Sequence, residues 1–343
     1  LAAAVERGGP VVPVYIWAPD EEGDWPPGGA SKWWLQRSLA ALDAALRAKG
    51  SRLILRRGPS LDTLAALAAE TGAEAVYWNR RYEPAAIARD AEVKRRLGDE
   101  RGLEAKSFNG ALLWEPWAAL KADGTPYRVF TPFWKACLER GAPEPEPEQA
   151  RVPAPASWPA SEPLAAFELE PKIDWAAGLR AAWTPGEEGA RAALARFLDG
   201  PVGEYSAERD RPDSEGASRL SPYLHWGEIS PRRIGRAAER RTGAAPYLRQ
   251  LVWREFGHHL LYHFPRTPLD PLRPEFEIFP WQPDRAGLRA WRRGRTGYPI
   301  VDAGMRELWA TGSMHNRVRM IVASFLVKDL LVPWQEGAKW FWD

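Results

Sequence analysis

Short apolar or β-branched runs at 11–17, 52–55, 75–78 and 105–108 alternate with helical patterns at 31–49, 61–71 and 84–97. This alternation implies right-handed crossovers and a doubly wound parallel sheet, with a ligand crevice at the carboxyl ends of its strands. The rhythm stops in 141–187, where APEPEPEQARVPAPASWPASEP offers only short anchors such as Trp158 and Phe167. Proline disfavours regular structure, so this segment is expected to wrap over the surface between domains. From Gly189 onward the pattern is predominantly helical. The expectation is an α/β doubly wound parallel-sheet domain at 1–125, a linker at 126–188 and an all-helical domain at 189–343. The opening LAAAVERGG reads as the end of a helix stopped by Gly8-Gly9.

A length of 343 residues fits two domains with sizeable cores. The single cysteine, Cys137, excludes an internal disulfide framework and a cysteine zinc site, and no metal site is expected. The apolar-rich run 320–327 is far shorter than the ~20 residues a bilayer span requires. An intracellular, membrane-free protein is therefore expected. The net charge of +2 hides an asymmetry. Residues 1–200 carry −3 and residues 201–343 carry +5, so the helical half is the side expected to face phosphate. Its densest basic patch is Arg232, Arg233, Arg236, Arg240 and Arg241.

The segment 296–331 holds polar groups inside what otherwise reads as buried helix. Asp302 is a candidate N-cap for a first helix, Thr311-Gly312-Ser313 breaks the chain, and a second helix starts at about His315. On that helix Asn316, Arg319, Met320, Ala323 and Val327 share a face, while Val318, Ile321, Val322, Phe325 and Leu326 cover the others. Asn316 and Arg319 are thus expected to point where water is excluded, which requires a polar partner: a bound ligand or a carboxylate such as Asp302. Upstream, the turn Ser214 to Ser218 leads into a helix start at Ser221-Pro222, a geometry suited to cradling phosphate and equally to ordinary capping. In PYLRQLVWREFGHHLLYHF, the residues Gln250, Trp253, Arg254 and Gly257 form one helical stripe, resembling the wall of an aromatic, polar pocket.

Together, in this order, EGASRLSPYLHWGEISPR, LVWREF, RTGYPIVDAGMRELWATGSMHNRVRM and ASFLVKDLL resemble the photolyase/cryptochrome flavoproteins, most closely the cyclobutane-pyrimidine-dimer photolyases. The resemblance implies a non-covalent FAD, folded into a U shape within the helical domain, that donates an electron under blue light to a dimer flipped out of DNA. It assigns Tyr205, Ala217, Ser218, Arg219, Leu220, Ser221, Tyr247, Arg254, Asn316 and Arg319 to the flavin. It assigns Arg209, Gln250, Trp253, Asn316, Arg317 and Met320 to DNA and lesion, with Trp253 stacking on the dimer, and makes Asn316 and Arg254 tune the flavin. Trp281 and Trp334 match the outer and middle members of an electron-transfer chain. Ala217 stands where threonine is frequent, and Gln250 where glutamate is common. His315-Asn316 followed by Met320 is the dimer-repair pattern.

The resemblance also implies a family strand before residue 1 and family residues after Asp343, so the 343-residue piece alone is expected to bind FAD poorly. The α/β domain is of the antenna-binding type; Lys106 stands where a folate-contacting acid is expected, and the antenna stays unassigned. Damaged DNA is the implied partner, and a monomer with no obligate protein partner is implied. A cryptochrome-like photoreceptor without repair is the alternative, and a generic flavin- or nucleotide-binding protein a third reading.

Overall fold

In a computed structural model, all 343 residues are described. Helix α1 (Ala2–Glu6) precedes β1 (Val14–Trp17), α2 (Gly29–Ala48), β2 (Ile54–Arg57), α3 (Ser60–Thr71), β3 (Ala75–Asn79), α4 (Pro84–Arg95) and β4 (Glu104–Phe108). Each expected strand and helix of this part is present, with ends moved by a few residues. Strands β1 and β2 pair in parallel with Val14 opposite Ile54, and β3 and β4 pair in parallel with Ala75 opposite Glu104. No ladder joins the two pairs, so the observed arrangement is two parallel pairs and not one continuous sheet.

Helix α2 faces both halves of the molecule. Leu35, Leu39 and Leu46 pack with Trp17, Leu53 and Leu55, and with Val152, Phe167 and Leu169 from the proline-rich segment. Trp33 and Trp34, from the same helix, enter the core of the helical half beside Phe197, Tyr223 and Leu194. The Trp34 indole N–H donates to Glu228 Oε1 at 3.1 Å, and Gly186 N donates to the same oxygen at 2.8 Å. A buried carboxylate with two donors thus ties the α/β part to the helices.

The helical half comprises α5 (Phe130–Arg140), α6 (Ala177–Ala182), α7 (Glu187–Asp199), α8 (Pro201–Glu208), α9 (Ser221–His225), α10 (Pro231–Glu239) and α11 (Ala245–His263). Then follow α12 (Arg285–Arg292), α13 (Pro299–Thr311), α14 (Asn316–Ser324) and α15 (Trp334–Trp342). One core gathers Phe197, Tyr205, Leu220, Ile234, Tyr247 and Leu251, and a second gathers Trp291, Val301, Met305, Val318, Val322 and Leu326. Helices α13 and α14 approach closely because Gly304 has no side chain: a Cβ there would lie 2.4 Å from Val318 Cγ1. Gly312, at φ +67°, ends α13 in the left-handed conformation that glycine adopts without steric cost.

Asp302 does not cap α13, whose N-cap is Tyr298. It sits within the first turn and reaches back to accept from Thr296 N at 2.7 Å, Thr296 Oγ1 at 2.7 Å and Gly297 N at 2.9 Å. With those donors at hand it fastens the loop before the helix and has no need of Arg319.

The proline-rich segment explains the fate of the basic patch on α10. Arg236 pairs with Glu144 at 3.1 Å, Arg232 with Glu146 at 3.4 Å and Arg233 with Glu148 at 3.8 Å. Alternate residues of an extended Pro-Glu strand repeat about every 6 Å, close to the spacing of i and i+4 on a helix, which sets Glu144 and Glu146 against Arg236 and Arg232, one turn apart, while Glu148 reaches the adjacent Arg233. Three of the five arginines are thereby matched by this segment's carboxylates, and Arg241 pairs with Asp199. Each such exposed pair is worth only about 0–1 kcal/mol, and Glu148 also meets Lys49 and Arg191, so replacing Glu144, Glu146 and Glu148 together with glutamine should lower the thermal midpoint by no more than a few degrees. The same variant should bind undamaged DNA several-fold more tightly at low salt, with a steeper salt dependence, as anisotropy titrations across salt concentrations would record.

Glu255 is the most deeply placed carboxylate, at 3% exposure. It accepts from Leu113 N at 2.7 Å and Trp114 N at 3.3 Å, and Arg254 Nη1 lies 3.2 Å away. Burial pushes its pKa up to about 7 against the pull of Arg254 and the two amides. A raised acid pKa favours the protonated form in the fold, so this group's contribution to stability falls as pH rises from the unfolded value of about 4.3 through about 7. His259 acts in the opposite sense: burial lowers it to about 4, so its contribution is lost as pH falls from about 6.5 towards 4. Glu255→Gln keeps an acceptor for both amides and removes the ionisation. The stability difference between E255Q and the parent should therefore grow in favour of E255Q from pH 5 to 8, as denaturant midpoints at each pH would show.

Candidate functional site

The candidate residues lie on α8, the turn before α9, α11 and α14. Tyr205 of α8 meets Tyr247 of α11 edge-on, with ring centroids 5.4 Å apart at 81°, and Phe197 packs against both. Burial raises the pKa of the Tyr247 phenol, and a hydrogen bond with Ser218 draws it part-way back. Both tyrosines are therefore neutral packing groups with one polar end.

The turn before α9 is strained at one point. Arg219 adopts φ +56°, a left-handed conformation unusual for a residue with a Cβ. This sends neighbouring side chains in different directions: Ser218 towards Tyr247, and the Arg219 guanidinium over Trp183, 4.4 Å from the ring centroid. Leu220 is buried in the core, whereas Ala217 is exposed and Ser221 opens α9.

Helix α14 starts at an N-cap supplied by His315, whose Nδ1 accepts from Arg317 N at 3.2 Å. Its buried stripe is Val318, Val322, Phe325 and Leu326, which packs with Trp291 and Met305. Asn316, Arg319 and Met320 consequently stand on the opposite, exposed side, and the expectation that water is excluded there is corrected. Arg319 Nη2 donates to Asn316 Oδ1 at 2.7 Å and has no carboxylate partner. Its pKa is nevertheless lowered by desolvation.

Asp210, which the sequence reading passed over, links this helix to α8. Arg317 grips it with Nε at 2.8 Å and Nη2 at 2.7 Å, while Arg209 Nε donates to it at 3.2 Å. The Arg317 hydrogen bond, ahead of the contribution of Arg209, holds the Asp210 carboxyl down at about 2. The Arg209 guanidinium also lies 5.6 Å from the Tyr205 ring centroid. One carboxylate thus sets two arginines side by side and leaves a net positive charge.

Along α11 the expected stripe diverges. Gln250 turns back to Pro246 O at 3.4 Å, and Trp253 is exposed and stacked on Phe130. Arg254 Nη1 donates to Ala111 O at 2.7 Å and lies beside Glu255. Its pKa is lowered, chiefly by desolvation. Arg254 therefore turns to the α/β part, where the buried Glu255 needs a cation. It makes no hydrogen bond to Ser218 or Asn316. Trp281 and Trp334 border one recess of about 380 Å³, together with Leu269, Phe276 and Gln335. A second recess, of about 330 Å³, is lined by Trp183, Arg196, Arg219 and Tyr223. Neither contains Ser218, Arg254 or Asn316.

Comparison with known proteins gives this arrangement its context. Residues 1–156 match the family profile described as DNA photolyase, and residues 247–343 match the FAD binding domain of DNA photolyase. The chain is 47% identical, over its whole length and 72% of the relative's, to the deoxyribodipyrimidine photo-lyase of Agrobacterium fabrum. The chain belongs to the DNA photolyase/cryptochrome family. It has the photolyase-like fold, with an N-terminal photolyase domain and a helical FAD-binding domain. The crystal structure of a bacterial class III photolyase from Agrobacterium tumefaciens superposes with a TM-score of 0.94 at 47% identity, covering 100% of this chain and 72% of that one. An archaeal photolyase from Sulfolobus tokodaii, described with two FAD molecules, gives a TM-score of 0.83 at 31% identity over 98% of this chain and 73% of that one. Cryptochrome-1 of Arabidopsis thaliana is 41% identical over all of this chain and 52% of its own length. No helix is long and apolar enough to cross a membrane.

Proposed function

We propose that this family member repairs cyclobutane pyrimidine dimers in DNA, using FAD and blue light. The observation that carries the reading is Arg319: an exposed guanidinium without a carboxylate, held 2.7 Å from Asn316 Oδ1, leaves N–H donors and an amide side by side, a pair suited to an electron-rich, hydrogen-bonding heterocycle. The residues fit such a cofactor. Asn316 and Arg319 would hold the ring end, Tyr205, Tyr247 and Ser218 the chain that leads from it, and the backbone of Ala217, Arg219, Leu220 and Ser221 its phosphates. Arg254, which now donates to Ala111 O, would add positive charge to the flavin on leaving that carbonyl.

When bound, reduced FAD supplies the light-driven electron that opens the cyclobutane ring and takes it back afterwards. The chain's own residues bind, orient and exclude water. Arg209 and Arg317, set by Asp210, face the DNA backbone, and Gln250 and Asn316 offer donors and acceptors to the pyrimidine edges. Trp253 and Met320 provide the apolar surface against which an extruded dimer rests. Trp281 and Trp334, sharing one recess, are assigned as the path by which electrons enter from the surface.

In this reading residues 1–125 form the antenna-type domain, 126–188 the linker and 189–343 the flavin domain. The two parallel pairs, joined here by no ladder, would be the two parts of a doubly wound sheet. An antenna pigment, a monomeric state and an intracellular location accompany the reading. The likeness to plant cryptochrome-1 favours one alternative, a blue-light photoreceptor that keeps flavin without repair. The two readings separate when reduced, flavin-loaded protein is mixed with dimer-containing DNA and recovered thymine is compared in blue light and darkness. Repair requires recovery in light alone, and equal recovery in both leaves the photoreceptor.

A further inference from the structure

Trp253 is held from behind. Its indole lies with its ring centroid 3.6 Å from that of Phe130 and 6° from parallel, and Phe256 meets it edge-on at 5.9 Å and 76°. Trp253 nonetheless keeps 46% of its surface exposed, as a flat ring does when one face is covered and the other is open. Phe130 itself is 5% exposed. It begins α5, and Phe133 and Cys137, one and two turns on, seat that helix against Val252 and Phe256 of α11. Phe130 therefore cannot swing aside without lifting α5.

The shelf continues beyond it. Trp134 lies 6.5 Å from Phe130 at 6°, and the Arg249 guanidinium sits 4.7 Å from the Trp134 centroid and 5.5 Å from that of Phe130. Arg249 has no carboxylate partner. The result is an aromatic step with a free cation at its edge, a combination suited to a stacked base and its phosphate.

A half-exposed tryptophan on a helix would ordinarily sample several rotamers, and a base stacking on it would have to freeze them, at a cost in affinity. A face-to-face aromatic neighbour removes that freedom before DNA arrives and leaves one face for stacking. We propose that Phe130 is a positioning residue for lesion recognition: it fixes the Trp253 plane and makes it a one-sided platform. The inference rests on the proposed function, since it names what supports the stacking residue of that site.

The test compares affinity for dimer-containing and undamaged DNA of otherwise identical sequence, using flavin-loaded parent, F130L, F130Y, W253A and the double variant W253A/F130L. Flavin absorbance and circular dichroism verify that each is folded. Leucine keeps apolar bulk in the α5 seat but cannot stack. F130L should lower the preference for damaged DNA by about 2- to 10-fold, the factor for immobilising one side chain, with undamaged binding unchanged. F130Y should restore the preference, and F130L should add nothing once Trp253 is alanine. Parental preference in F130L, or an equal loss from F130L with and without Trp253, overturns the role of Phe130 alone. A parent that does not prefer damaged DNA overturns the proposed function, and this inference with it.

Discussion

Replacing Trp291 with alanine should destabilise the protein by about 3–5 kcal/mol, the range for truncating a fully buried aromatic. Trp291 is 0% exposed, its indole N–H donates to Val322 O at 3.0 Å, and Phe341 lies 5.6 Å away. Alanine would leave a large void among α12, α13 and α14 and remove one of the two donors to Val322 O, the other being Phe325 N. The thermal midpoint should fall by roughly 10 °C. Because the same core sets the buried stripe of α14, flavin retention should weaken along with stability. Trp309→Ala, at a tryptophan 63% exposed, should change stability by only about 0.5 kcal/mol. Equal losses in the two variants would mean that the second core does not support α14.

Trp253→Ala should weaken binding of dimer-containing DNA by roughly 1–3 kcal/mol, the range for losing one base–aromatic stack, or about 5- to 150-fold. Flavin content should be unchanged, because the rings that hold Trp253, Phe130 and Phe256, are not assigned to the flavin. Undamaged DNA should bind as before, since its affinity is set by arginines on phosphate. Titration of both DNAs with parent and variant decides the matter, and equal affinity of the two proteins for damaged DNA would remove Trp253 from the site.

The fold was legible where a local rule decides it. The four strand runs, the Gly8-Gly9 stop, the Gly312 break and the His315 start are each fixed by composition or backbone freedom within a few residues. The faces of α14 were not. Apolar residues nearly encircle that helix, so periodicity left two stripes possible, and the packing of Trp291 and Met305 selected the one carrying Val318 and Val322. Asp302 was misassigned for a related reason. An acid near a helix start fits a cap by sequence, but here Tyr298 occupies that position and the carboxylate serves the preceding loop.

Residues that act across long separations left little local signal. Arg317 and Asp210 are 107 residues apart, and nothing near either one predicts the pair. The stack of Phe130 on Trp253 likewise joins α5 to α11 through tertiary packing alone. The masking of the α10 arginines by Glu144, Glu146 and Glu148 belongs to the same class, since a basic run and an acidic run read separately as two solvated surfaces. Glu255 did carry a signal. It lies one turn after Leu251 and one before His259 on the buried stripe of α11, where an acid implies a waiting donor set.

In the proposed site one flavin gathers Ser218, Asn316 and Arg319, and Arg254 joins them only on leaving Ala111 O. A crystal structure of the protein crystallised with FAD tests it most directly. The account predicts the flavin ring beside Asn316 and Arg319, its phosphates at Ser218 to Ser221, and Arg254 released from Ala111. FAD bound elsewhere, with Asn316 and Arg319 still paired only to each other, would contradict it.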